Sequence, residues 1–533
     1  MKKFLALLLA LVMLLSLAAC VQEKPEETKN PGNNDTPKQT QPKETDPKPK
    51  EEVTLRYFYM NQAGEQQYTA DVEKKLNEIL DTIPGYEHIN MDLVPCNDYA
   101  TEFTLAQTAG DQIDLVSTYG LDMTSMVKNG DFIELSDLLA KYPNVTSEIP
   151  EWLVKMGIVF DGMYYVPTYQ QAANMNFWMT TTEYADMYRE KYGKTKEDMT
   201  NLFYYGTLEE KLDFAEDMVE AVREGTGKDT KWMHVSFSVT RFFNAEYIGV
   251  DYGPIFLIEG QDAPIWWTYS DEYYTVYKRL NEWYKKGYIH PDVTTYKASD
   301  YNGKNMLNDE SHVFAFGQNA VSAETYSTNT SNSYGFPVEY YQVTDHAYIP
   351  SKWAAGGNAI YADCAHPEEA MMIIELLMTE KGKEFYSTLV WGLEDIHWKW
   401  VDKENEKIET LEYAGSQGDA TCSYHAWMWN IGNTFNIWQN QSFTPGFNDY
   451  LLNEIHNGEK TVASPATGIT WDLSSVQDQI AQCTAVNKEY GGIYTQDNFE
   501  ELYQEFRAKL EAAGVKDILK CLKDQYDAFK ANQ

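Results

Sequence analysis

Between Val53 and Thr118 the hydrophobic pattern switches four times between a period of two and a helical period, and this alternation limits the fold more than any other feature. Val53, Leu55, Tyr57 and Tyr59 alternate with their neighbours as in a strand. Val72, Leu76, Ile79 and Leu80 then share one helical face, and Pro84 and Gly85 close the unit. A strand is predicted near 89–94, a helix near 99–109 and a short strand at 113–118. The order β-α-β-α-β implies a mainly parallel sheet with helices on both faces. Ligands of such sheets bind beyond the carboxyl ends of the strands. Asn61 and Tyr119 stand just past two of those ends and are candidate ligand contacts.

The remainder continues in this α/β style. Thr207 and Glu210 form a capping box ahead of the apolar positions Leu208, Leu212, Ala215, Met218, Val219 and Val222, with Gly225 as the expected stop. A second helix is predicted over 273–286, ending at Gly287, and a strand over 359–361. His366 precedes Pro367 and two glutamates, which makes it a helix-start residue rather than a ligand. Two amphipathic helices near 498–513 and 515–530 are split by Gly514.

The amino terminus sets the compartment. Lys2 and Lys3 precede an apolar run from Phe4 to Leu17, the length of a signal-peptide core and too short to span a bilayer. The run ends in Leu17, Ala18, Ala19 and Cys20, a string that resembles the lipobox of bacterial lipoproteins. Cys20 would then carry the lipid and begin the mature chain. Residues 21–52 are mostly Pro, Lys, Glu, Thr, Asn and Gln, a composition unable to offset chain entropy by burial, and hence a disordered tether. About 480 residues follow, enough for two or more lobes.

A formal charge of −38 makes a phosphate backbone a poor partner. Apart from Cys20 there are Cys96, Cys364, Cys422, Cys483 and Cys521; their spacings fit no zinc pattern, and buried, inert thiols are expected.

Several strings, in order, carry a family resemblance: YYVP at 164–167, WYKKGYIHPD at 283–292, HPEEA at 366–370 and GLEDIH at 392–397. A tail over 467–530 adds Gly468, Tyr490, Gly491 and the run Ala512, Ala513, Gly514. From the lipobox onward this layout resembles the family 1 extracellular solute-binding lipoproteins of bacterial ABC importers, in the Gram-positive branch with an extra C-terminal module. The resemblance implies a two-lobed periplasmic-binding-protein-like fold with a hinge, and a ligand trapped as the lobes close. It implies a signal peptide at 1–19, a lipidated cysteine and linker at 20–52, first-lobe segments at 53–166 and 351–420, and second-lobe segments at 167–350 and 421–533, the last including the helical module. It also implies a monomer, lipid-anchored on the outer face of the membrane, that hands its ligand to permease subunits. Members serve oligosaccharides, other glycans or peptides. Few cations fall in the expected cleft, which argues against strongly acidic ligands.

Aromatic residues form 14% of the chain, including 14 Trp and 39 Tyr. Flat amphipathic rings suit the apolar faces of pyranoses, while amides and carboxylates take the hydroxyls. Irregular, Gly-containing segments supply the candidates Trp353, Trp391 with Glu394, and Trp427 with Trp429, the last pair on one side of an extended run. Trp178 and Trp232 are further candidates, and Arg241 is a fork for a carboxylate or hydroxyls. The sequence contains no nucleophile elbow, HExxH, EF-hand loop or P-loop, so no catalytic residue, cofactor or metal is expected. The nine histidines form no cluster. The expected function is capture of an oligosaccharide for import; an anchored glycan-degrading enzyme, or peptide capture by the same fold, is the alternative.

Overall fold

The computed structural model describes residues 51–173, 175–248, 253–295, 304, 307, 312–319, 322–351, 356–412, 422–442, 445–459 and 461–532. The alternation at the start builds what it predicts: β1 (Val53–Met60), α1 (Thr69–Leu80), β2 (Ile89–Cys96), α2 (Tyr99–Ala109) and β3 (Leu115–Ser117). β1 pairs in parallel with both β2 and β3. Odd residues of β1 point to one core, where Leu55, Tyr57 and Tyr59 meet Leu76 and Leu80 of α1. Phe58 points to the other, against Phe103 of α2. Both faces are thus covered, as a parallel sheet requires, and each fully buried large apolar side chain contributes roughly 1.5–3 kcal/mol.

The chain leaves this sheet at β4 (Val166–Pro167), crosses through residues 168–173 and enters β5 (Met175–Thr181). α3 (Leu208–Thr226) carries the expected capping box at Thr207 and Glu210. It runs past Gly225, where a Cβ would lie 2.9 Å from the sulfur of Met187, and stops at Gly227 in the left-handed region. After α4 (Asp271–Lys285) come β6 (Ala315–Asn319), α5 (Ala323–Tyr334) and β7 (Val338–Gln342). β6 and β7 flank β5 in a second, antiparallel sheet.

β8 (Gly357–Ile360) then returns to the first sheet, antiparallel to both β3 and β4. Glycine is required at this seam, because a Cβ on Gly357 would sit 2.3 Å from the carbonyl oxygen of Val166. α6 (Pro367–Met378) opens with proline in its first turn, and α7 (Lys383–Trp391) follows it into the core of the first sheet.

Residues beyond 464 share a further core with residues 239–273. α8 (Gln477–Glu489), α9 (Phe499–Ala512) and α10 (Val515–Ala531) bury Phe506, Leu510, Ile518 and Leu522 against Ile255, Trp266, Trp267 and Tyr273. Gly514 separates α9 from α10 at φ +94°, as expected from sequence. None of the five cysteines at 96, 364, 422, 483 and 521 is in a disulfide. No helix among the described residues is long and apolar enough to cross a membrane.

Candidate functional site

The carboxyl ends of β1 and β3 carry a small group of polar atoms without partners among the described residues. Asn61 follows the last residue of β1, and its backbone N–H donates to the Cys96 carbonyl at 2.9 Å. Its Nδ2 donates to the Gly64 carbonyl and to Gln66 Oε1, at 3.2 and 3.3 Å. Gln66 Oε1 also accepts the His425 N–H at 3.0 Å, and Gln66 Nε2 donates to the Cys422 carbonyl. Asn430 completes the frame: Nδ2 donates to the Met60 carbonyl at 3.1 Å, and its carbonyl accepts Ser117 Oγ at 3.1 Å. Residues 422–430 are therefore laced onto the ends of β1 and β3.

On this frame Tyr119 meets Trp427 edge to face, with ring centroids 4.7 Å apart. The close path of the backbone depends on Gly356, at φ +29°, whose Cβ would lie 2.5 Å from the Tyr119 nitrogen. Asn61 Oδ1, Asn430 Oδ1 and Trp427 Nε1 are buried without a hydrogen-bond partner among the described residues. Such atoms are rare, and each lost partner costs about 1–3 kcal/mol.

Trp427 and Trp429 do not share one side of an extended run. Residues 428–430 form a 3-10 turn, which rotates the two rings apart. The Trp429 carbonyl accepts Thr168 Oγ1 at 3.1 Å and Gln170 Nε2 at 2.9 Å, both from the crossing. Trp429 lines a cavity of about 470 Å³ with Gln171, Tyr326, Tyr334, Phe435 and Phe447. One turn thus places Trp427 beside the strand ends and Trp429 beside the crossing.

The second sheet carries a separate patch along its edge strand β6. Trp232 bridges to His312 and its ring lies 4.8 Å from that of His290. His234 lies 5.0 Å from the ring of Phe316. Burial, with His312 and Arg241 close by, pushes His234 well below its ordinary pKa, so this imidazole is neutral. Arg241 ends a 3-10 turn, and its guanidinium lies over the Phe316 ring, 4.8 Å from the centroid. Trp178 lies inside the fold rather than on this surface. Only 1% exposed, it has the rings of Phe203, Phe237, Phe314 and Phe316 at 4.9–5.7 Å, and Nε1 donates to the Arg241 carbonyl.

Trp391 and Glu394, expected together on a Gly-containing loop, are parted. Trp391 is the last residue of α7, 5% exposed, with Nε1 donating to the Trp438 carbonyl at 3.1 Å. Glu394 is exposed and borders a depression of about 320 Å³ with Trp398, Trp400 and Trp438. Gly392, at φ +77°, turns the chain between the two environments. Trp353 lies outside the described residues. Gln66, Gln170, His425 and Asn430 were not singled out from sequence. Amides in irregular segments follow no period, and Asn61 was found only because it ends a legible strand. No group of three or more His, Cys, Asp or Glu among the described residues could hold a metal ion.

Two sheets joined by a crossing, with the chain returning to the first, make the fold that of the two-lobed extracellular solute-binding proteins, as the sequence resemblance implied. The N-glycan transport solute-binding protein NgtS of Streptococcus pneumoniae aligns with a TM-score of 0.66 at 16% identity, over 90% of this chain and 99% of its own. NgtS in complex with Man1GlcNAc aligns at 0.58, with the same 16% identity and the same coverage of 90% and 99%. FusA of S. pneumoniae in complex with kestose aligns at 0.55, with 13% identity over 90% of this chain and 100% of its own. The tail falls where the extra module was expected: residues 465–531 match the family described as a domain of unknown function, DUF3502. No curated protein matches the chain in sequence.

Proposed function

We propose that this chain is the lipid-anchored solute-binding subunit of an ABC importer, and that it closes around an extracellular oligosaccharide. The observation that carries this reading is the set of unpartnered atoms beside the Tyr119–Trp427 pair: two acceptors, Asn61 Oδ1 and Asn430 Oδ1, and one donor, Trp427 Nε1. A sugar hydroxyl donates and accepts at once, so it satisfies both kinds, and the ring pair offers the apolar surface that a pyranose face covers.

In this reading segment 422–436 belongs with the first lobe, since Asn430 holds Met60 and Ser117, and Asn433 donates to the Met378 carbonyl. The second sheet, with Trp232 and Arg241, forms the opposing lobe. Ligand stabilises the closed state because only that state offers contacts from both sides. Glycans named for the structural neighbours NgtS and FusA support the ligand class.

Titration calorimetry against neutral and acidic oligosaccharides and against peptides tests the proposal. Saturable binding of an oligosaccharide, with no shortened products after prolonged incubation, is the expected result. Sustained cleavage, or binding of peptides alone, overturns it.

Attachment is tested separately. A diacylated cysteine anchors stably where a single acyl chain does not, so Cys20→Ser is expected to move the protein from the membrane fraction into the medium. Retention of the variant on the membrane rules out the anchor.

A further inference from the structure

Arg241 is a charge without a counter-charge among the described residues. In a chain with 81 acidic residues against 43 basic ones, no carboxylate among the described residues pairs with Arg241, and its Nε is buried with no hydrogen-bond partner among them. The other half-buried arginines have partners: Arg223 donates to the carbonyls of Lys231 and Gly287, and the rest meet carboxylates. Arg189 grips Glu339 through two nitrogens at 2.9 and 3.0 Å, and Arg279 meets Asp213 and Glu216. An unpaired cation drawn partly out of water is destabilising, and structural arginines are given partners for that reason.

The surroundings of Arg241 are built to hold the guanidinium without quenching it. Phe316 supports one face of the fork, and the Arg241 backbone is pinned by Trp178 Nε1 at 2.7 Å and by its own N–H to Ser238 O at 2.9 Å. The nearby His234 is neutral, and Trp232 stands half-exposed on the same patch. β6, which carries Phe316, runs on to Asn319 opposite Met175, the first strand residue beyond the crossing. The patch therefore lies along the strand that leads to the hinge, on the lobe proposed to close over ligand.

We infer that Arg241 receives a carboxylate of the ligand, so that the captured oligosaccharide is acidic and carries a uronate-type residue. This rests on the oligosaccharide reading and narrows it. A planar fork binds a carboxylate through two parallel hydrogen bonds, and closure would give this cation the partner that the protein withholds. The scarcity of other cations on the patch limits the demand to one carboxylate rather than a polyanion, in keeping with the expectation against strongly acidic ligands.

The test compares xylo-oligosaccharides that carry a single glucuronate branch with their methyl esters, which keep the shape and remove the charge. Wild-type protein is expected to bind one acid form roughly 10- to 100-fold more tightly than its ester. Arg241→Met is expected to abolish that preference while retaining the affinity for the ester and an undiminished melting temperature, because the half-buried charge it removes has no ion pair among the described residues to lose. Arg241→Lys should keep part of the preference. In parallel, sodium glucuronate at millimolar concentration should shift the Arg241 Nε–H resonance, and glucose should not. Equal binding of acid and ester, or no shift with any uronate, overturns the inference and leaves the oligosaccharide reading standing. Binding of peptides alone removes both. A large loss of melting temperature in Arg241→Met, with the charge preference intact in Arg241→Lys and in the folded fraction of the Met variant, also overturns it by making Arg241 structural.

Discussion

Trp178→Ala is expected to lower the unfolding free energy by about 3–5 kcal/mol, the cost of deleting a large aromatic side chain from a packed interior. The ring is 1% exposed and its neighbours are aromatic on several sides, so the site cannot collapse without moving β5, β6 and the turn at Val239–Arg241 together. The loss also frees the Arg241 carbonyl, which Trp178 Nε1 now satisfies at 2.7 Å. Trp178→Phe retains most of the volume and should cost clearly less. Chemical denaturation of both variants, read by far-ultraviolet circular dichroism, measures the difference. An alanine variant within about 1 kcal/mol of wild type would contradict the packing account, since that is the range of substitutions outside such features.

The same residue shows what a sequence can and cannot reveal. Trp178 lies in a strand, and alternation along that strand states that its side chain faces the opposite side from Phe177 and Met179. Which side faces ligand depends on what covers each one. Phe203, Phe214, Phe237, Phe242, Phe314 and Phe316 come from segments far apart in the chain, and no local pattern announces their meeting. Trp391 is a parallel case. The adjacent glycine suggests a loop, yet α7 continues through the tryptophan, and Gly392 is the helix stop rather than part of a flexible platform.

By contrast, the β-α-β-α-β opening, the capping box at Thr207 and the proline start of α6 were legible, because each is decided within about one turn or one strand of chain. The strand ends were legible for the same reason, and they located Asn61 and Tyr119. What they missed is the segment laid across those ends. Residues 422–430 have no regular period beyond one 3-10 turn, and their place is set by long-range hydrogen bonds from Gln66, Ser117, Thr168 and Gln170. The amide Asn430, with its unpartnered Oδ1, belongs to that class of information.

Trp427 separates binding from folding most sharply. Its Nε1 is a buried donor without a partner among the described residues, so Trp427→Phe removes an unsatisfied group from the empty protein while keeping an aromatic ring against Tyr119. Stability of the empty protein should therefore hold or rise slightly. Affinity should fall, because the donor proposed to meet a sugar hydroxyl is gone; the expected loss is about 1 kcal/mol for a neutral hydrogen bond. Trp427→Ala removes the platform as well, and its binding loss should reach roughly 1–3 kcal/mol, a five- to more than hundredfold weakening. Being 7% exposed, the ring also packs, so the alanine variant alone would confuse the two effects, and the phenylalanine variant resolves them. Calorimetry with the best-bound oligosaccharide gives the affinities, and melting without ligand gives the stabilities. If Trp427→Phe melts several degrees lower and binds as wild type does, the indole N–H has a structural partner instead, and the strand-end group loses its one donor as a ligand contact.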